Sequence, residues 1–175
     1  MKSMKMKRIN DLSLMETEVF SEIKTLISKT SSATRENPSN LTEGINILGH
    51  LRKDIYEDLN QIQHEAMILR AAKLIGSNDY RGKNVVWYWN PKQTGSKKEP
   101  DLLGKIAGKT VVLAEITTSE KPSGGIDKRI AHALQKLEDV GKKSRRIFFV
   151  RTQEMRRRAE TKAQKKGFKI EIKII

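Results

Sequence analysis

The apolar period of this chain changes once, near residue 80, and that change limits the folds open to it. Upstream, Met15, Val19, Ile23 and Leu26 recur at helical spacing within residues 12–29. A longer run starts near Gly44, where Leu48, Leu51, Ile55, Leu59, Ile62, Ala66 and Leu69 stand three or four apart, close to a heptad seam. Gly76 and Asn78 supply its stop signals, and the seam is expected to pack on its own domain. Between the two runs, "TSSATRENPSN" contains Pro38 and reads as a linker. Downstream, "NVVWYW" (84–89), "EPDLLG" (99–104), "KTVVLAEIT" (109–117), "RRIFFVR" (145–151) and "FKIEIKII" (168–175) are short β-branched or alternating blocks, which are strand signals. Two helices interleave with them. One covers 125–140, with Ile126, Ile130, Ala133, Leu134 and Leu137 on one side; the other, 152–166, is basic and stops at a glycine. The order is helix, three strands, helix, strand, helix, strand, an α/β arrangement. Residues 1–43 form an N-terminal helix and linker, and 44–175 the main domain.

Charge narrows the choice of partner. The 175 residues carry a formal net charge of +14, unevenly placed: residues 141–175 hold 13 Lys and Arg against 3 Glu. Clusters such as "GKKSRR" and "EMRRRAETKAQKK" suit a polyanion, because each neutralised phosphate releases condensed counterions. The chain has no cysteine, so thiolate metal sites, thiol nucleophiles and disulfides are excluded. The basic start "MKSMKMKRIN" is not followed by an uninterrupted apolar run, and no segment reaches the length of a membrane span. A soluble, cytoplasmic protein is expected.

The stretch "GKIAGKT" resembles a phosphate-binding loop but lacks its spacing. Only three residues separate Gly104 from Gly108, and Leu103 stands where the first glycine belongs. Lys109 and Thr110 lead into "VVLAEIT", which is strand chemistry, whereas a phosphate loop opens a helix. Gly104 and Gly108 are instead expected as bends in a hairpin connection.

A hairpin there would bring Asp101 beside Glu115, two carboxylates able to hold Mg²⁺ through hard oxygen ligands. Alternation puts Thr117 on the face of Glu115. The run "PD", thirteen residues, then "EIT" resembles the motif of the PD-(D/E)XK nucleases, the restriction-endonuclease-like superfamily. The resemblance implies an αβββαβ core, a mixed sheet flanked by helices, here with an N-terminal helical extension. It implies Asp101 and Glu115 as metal ligands, joined by a glutamate of the preceding helix: Glu65 in "QHEAMILRAAK", with Glu57 two turns earlier as the other choice. The family's lysine, which activates the attacking water, falls at Thr117, whose hydroxyl can bind water but carries no charge. Lys121 and, after it, Lys128 are the candidates to replace it.

Other residues fit less well. "HEAMI" begins like a zinc-protease motif, but Ile68 stands where the second histidine is required. His50, His64 and His132 show no ligand pairing and are read as surface or helix-face residues. Trp87 and Trp89 share a strand face and belong to a core before they belong to base stacking. Gln135 falls on the helix where some relatives direct a glutamine at the site, but Asp139 stands where one subgroup has tyrosine.

The expected function is Mg²⁺-dependent hydrolysis of DNA phosphodiester bonds, with Mn²⁺ substituting, by a restriction-type or other endonuclease. Asp101, Glu115, Thr117 and Lys121 are the expected catalytic residues. Lys97, Lys98, Lys128, Arg129, Lys142, Lys143, Arg145, Arg156, Arg157 and Arg158 would hold nucleic acid, with Lys92 flanking the cleft. RNA remains open as a substrate. Cutting both strands of a duplex favours a homodimer, with residues 12–75 as its interface. The alternative is an inactive nucleic-acid-binding module of the same fold, or a basic subunit of a larger assembly.

Overall fold

The computed structural model describes residues 6–90, 99–141 and 143–175, apart from the side chains of Asp54 and Glu57. Lys92, Lys97, Lys98 and Lys142, all expected to touch nucleic acid, lie outside the described residues. The elements in chain order are β1 (Lys7–Ile9), α1 (Leu12–Ala33), α2 (Leu41–His50), a π-helical turn (Leu51–Tyr56), α3 (Glu57–Asp79), β2 (Val86–Trp89), β3 (Leu102–Ile106), β4 (Lys109–Ile116), α4 (Gly125–Val140), β5 (Arg145–Val150), α5 (Gln153–Lys165) and β6 (Glu171–Ile174). The fold is mixed α/β. Its six strands form one sheet in sequence order, antiparallel from β1 to β4 and parallel from β4 to β6.

Alternation along the strands divides the core in two. Val112, Ala114 and Ile116 of β4 join Trp87, Trp89, Ile147 and Phe149 on the face covered by α1 and α3. Leu113, Phe148 and Val150 point to the other face, against Ile130, Leu134 and Leu137 of α4 and Met155, Ala159 and Ala163 of α5. Each fully buried side chain of this size contributes roughly 1.5–3 kcal/mol. Both tryptophans are therefore core residues. On α3, Ala71 and Ala72 are small enough to seat the helix closely on the sheet between Ile68 and Ile75. Among the described residues no helix is long and apolar enough to cross a membrane.

The N-terminal region differs from its expected form in four ways. Helix α1 runs four residues past Lys29, and the hydroxyls of Thr30 and Ser32 in its last turns donate to the carbonyls of Leu26 and Ser28. Helix α2 starts at Leu41 rather than Gly44, since Asn40 accepts from the Glu43 N–H at 2.9 Å and Glu43 returns to the Ser39 N–H at 2.7 Å, a capping box. The expected single long helix is interrupted by the π-helical turn, whose wider turn rotates the apolar stripe. Leu48 stands 66% exposed, while Leu69 further along the same seam is buried. Strand β1 was not expected at all; Val19 of α1 shares the core of the sheet to which β1 pairs.

The hairpin between β3 and β4 turns on Ala107 and Gly108, both at positive φ (47° and 76°), the conformation of a two-residue type I′ turn. Gly104 is not a bend in that connection. It sits within β3 at a register shift, where an added Cβ would lie 2.8 Å from Trp87 Cζ3 and 2.8 Å from Val112 Cγ1. Lys109 and Thr110 open a strand, so the phosphate-loop reading fails on structure as well as on spacing.

Candidate active site

The register pairs Leu102 with Ala114, so the next position outward sets Asp101 opposite Glu115, where β3 begins and β4 ends. The two residues are interlocked. The Asp101 N–H donates to Glu115 Oε1 at 3.1 Å, and the Ile116 N–H donates to Asp101 Oδ2 at 2.8 Å. Both side chains are buried.

Each carboxylate also receives one side-chain donor, and the donors come from helices on opposite faces of the sheet. Glu115 alternates with Ala114 and Ile116, so it points to the α4 side, where Lys136 places its ammonium 2.7 Å from Glu115 Oε1. The same ammonium donates to the Glu99 carbonyl at 3.0 Å. Asp101 draws on α3 instead: His64 Nε2 lies 3.3 Å from Asp101 Oδ2. That hydrogen bond favours the charged ring, in which both nitrogens carry protons. Neither Asp101 Oδ1 nor Glu115 Oε2 takes part in any of these contacts.

The electrostatics follow from this crowding. Burial first, and the Asp101 charge second, push the Glu115 carboxyl up to about 8, against the opposing pull of Lys136. Burial works against a charged His64, but its hydrogen bond to Asp101 and that carboxylate's charge, aided by the Ile116 backbone and Glu65, hold it above the ordinary imidazole value.

The hydrogen bonds and ion pair of the carboxylates described above do not involve the other expected site residues. Glu65 is buried on α3, and its Oε1 accepts from Gln61 Nε2 at 2.8 Å. Among the described residues no group of three His, Asp or Glu side chains is gathered to hold a metal ion, so Glu65 does not complete a triad with Asp101 and Glu115. Thr117 follows β4; its Oγ1 accepts from the Ser119 N–H at 3.3 Å. Lys121 is exposed in the loop beyond, which is tied down by Thr152 Oγ1 donating to the Glu120 carbonyl at 2.7 Å. Lys128 is exposed at the start of α4, eight residues, or about 12 Å of helix, before Lys136. Gln135 binds Asp139 and Lys166 rather than the pair. A cleft of about 460 Å³ lined in part by Lys29, His50, Lys53 and Asp58 contains none of the site residues.

The cations expected to meet nucleic acid divide into two groups. Arg145 is held by Glu171 (2.6 Å) and Asp79 (2.6 Å), at the opposite end of β5 from the residues paired with Glu115 and Ile116. Arg158 binds Asp127 at 2.6 Å, and Arg156 binds Glu160 at 2.8 Å. Arg129, Lys143 and Arg157 are exposed, and none of the salt bridges among the described residues involves them.

Lys136 and His64 are the two residues that sequence reasoning passed over. Both left a trace. Lys136 adjoins the apolar stripe of α4 between Leu134 and Leu137, and His64 falls in phase with Ile68, Ala71 and Ile75, a polar residue on a buried face. No family model, no curated protein and no solved structure matches the chain.

Proposed function

We propose that the chain is a Mg²⁺-dependent endonuclease that hydrolyses DNA phosphodiester bonds, on a restriction-endonuclease-like αβββαβ core. The observation that carries this reading is the cross-strand pair of Asp101 and Glu115. Like charges directly opposite in a sheet are destabilising, and here they are buried as well. The donor set fits a hard cation. Mg²⁺ retains several waters and needs only one or two protein carboxylates beside substrate phosphate, and each of these carboxylates has an oxygen outside the hydrogen bonds described. Mn²⁺ would substitute in the same donor set.

A bound ion would supply Lewis acidity and a water made nucleophilic at neutral pH. The chain's own residues do the rest. Asp101 and Glu115 each have one oxygen held by hydrogen bonds, and the second oxygen of each would be the one to take the ion. Lys136, rather than Lys121 or Lys128, takes the role that the resemblance assigns to a lysine at position 117, because its ammonium already touches Glu115. There it opposes the burial that raises the Glu115 carboxyl and brings positive charge toward the oxygens that gain negative charge as a phosphodiester is attacked. Arg129, Lys143 and Arg157, with the cations of the basic C-terminal region, would hold the nucleic-acid backbone. We extend the proposal to a cytoplasmic homodimer joined through residues 12–75, where Leu14, Phe20, Ile27, Ile45 and Leu48 are exposed.

A second reading, a binding module without catalysis, is favoured by Thr117: its hydroxyl oxygen is engaged by Ser119, and no lysine follows Glu115 on the strand. A cleavage assay with Mg²⁺ or Mn²⁺ on plasmid, linear duplex, single-stranded and branched DNA, with RNA in parallel, separates the two. The endonuclease reading requires cutting that Asp101→Ala and Glu115→Ala abolish while binding persists. Substrates that are bound but survive intact leave the binding module.

A further inference from the structure

We infer that His64 is the positioning residue of Asp101, the counterpart on α3 of what Lys136 is to Glu115 on α4. The inference rests on the proposed metal site and concerns how this chain prepares it. Each acid has one oxygen held by one backbone N–H and one side-chain N–H: Ile116 and His64 on Asp101 Oδ2, Asp101 and Lys136 on Glu115 Oε1. Two donors on a single oxygen restrict the carboxylate more than one donor does, and both leave Oδ1 unused. With the Ile116 N–H alone, the side chain would rotate about that single bond. Ligating carboxylates are generally held this way by outer hydrogen bonds, and losing one typically weakens metal affinity by about 10–100-fold.

The platform is rigid enough for the role. His64 lies one turn before Ile68, whose neighbours Leu69, Ala71, Ala72 and Ile75 are all essentially buried against the sheet. Its side chain is itself only 13% exposed. Glu65, the α3 residue that the family pattern suggests, accepts from Gln61, and among the described residues of α3 it is His64 that contacts the pair.

The test is Mn²⁺ binding to the full chain, measured by calorimetry without nucleic acid, with thermal melting in chelator recorded for every variant. His64→Phe keeps the ring volume and removes the donor, and is expected to bind Mn²⁺ about 10–100-fold more weakly than wild type while still melting in one cooperative transition. His64→Gln carries an N–H at the same reach and is expected to restore affinity to within a few-fold. A role confined to packing would show the opposite order, with Phe tolerated and Gln harmful. Equal affinity in wild type and His64→Phe overturns the inference while leaving the metal site standing. Wild type binding no better than Asp101→Ala overturns the metal site, and the inference with it. Nitrogen NMR of wild-type His64 gives a reading that needs no variant. The Nε2 proton is expected to persist when Mg²⁺ is added, and its loss would make His64 a ligand instead and overturn the positioning role.

Discussion

Lys136→Met isolates the one contact on which the proposed chemistry most depends. Methionine keeps most of the aliphatic stem, so packing against α4's neighbours is retained while the ammonium is removed. Two bonds disappear, to Glu115 Oε1 at 2.7 Å and to the Glu99 carbonyl at 3.0 Å. A hydrogen bond to a charged group contributes about 1.5–3 kcal/mol, and Lys136 is 21% exposed, so about 2 kcal/mol is expected where Glu115 is ionised. The cost must vary with pH. Once Glu115 is protonated the ammonium faces a neutral acid, and the loss shrinks to the carbonyl bond, about 1 kcal/mol or less. Urea denaturation of both proteins in chelator, from about pH 5 to about pH 9, should therefore show a stability gap that widens as pH rises through the Glu115 value of about 8. In the cleavage assay the same variant should lose about 10²–10³ in kcat. A stability gap independent of pH would refute the ion pair. Full activity would remove Lys136 from the mechanism.

Three further outcomes follow from other parts of the structure. Glu115 is held above its unfolded value, so its stabilising contribution is complete below about pH 4.5 and is lost as pH rises toward about 8; metal-free wild type should weaken across that window, and Glu115→Gln should flatten the slope in urea midpoints, leaving the smaller fall in the same direction due to His64. Arg145→Met should cost about 1 kcal/mol in urea denaturation, since its pairs with Asp79 and Glu171 are partly solvated, and should leave DNA affinity within two-fold, whereas Arg157→Ala should leave stability unchanged and reduce the salt slope of DNA binding by about one. Gly104→Ala should destabilise by about 1–3 kcal/mol in thermal melts, because Trp87 and Val112 both lie 2.8 Å from the new methyl; a variant as stable as wild type would mean the sheet shifts freely there.

How much of this was legible depended on whether one stretch of chain or two had to be read. Helix α4 was bounded at 125 and 140 from its stripe and flanking glycines alone, and β4 and β5 were each placed to within one residue at one end. The same local reading missed β1, since three residues cannot display an alternation, and it missed the π-helical turn, which changes phase without changing composition. Asp101 and Glu115 were found because a short hairpin fixes which residues face each other. Lys136 and His64 were not, because their partners are set by how α4 and α3 cross the sheet. Periodicity reports which side of a helix is buried, but not which strand residue lies beneath it. Lys121 and Lys128 are nearer to Glu115 in sequence than Lys136, but it is Lys136 that the crossing of α4 brings against Glu115.

The layer arrangement also explains why the acid pair can exist at all. Two buried carboxylates on adjacent strands disfavour each other's ionised form, the more so where they draw on a single set of neighbours. Here Glu115 turns to the α4 side and Asp101 takes its donor from α3, so each draws a cationic or protonated group from a different layer while their backbones remain adjacent. The compensation is incomplete, as the raised Glu115 value records. A hydrophobic pair at the same register would bury without that deficit, so the positions are held against stability rather than for it. A divalent cation is the ligand that would remove the deficit, and its binding should stabilise the fold more at pH 8 than at pH 6, where the protonated Glu115 competes for it.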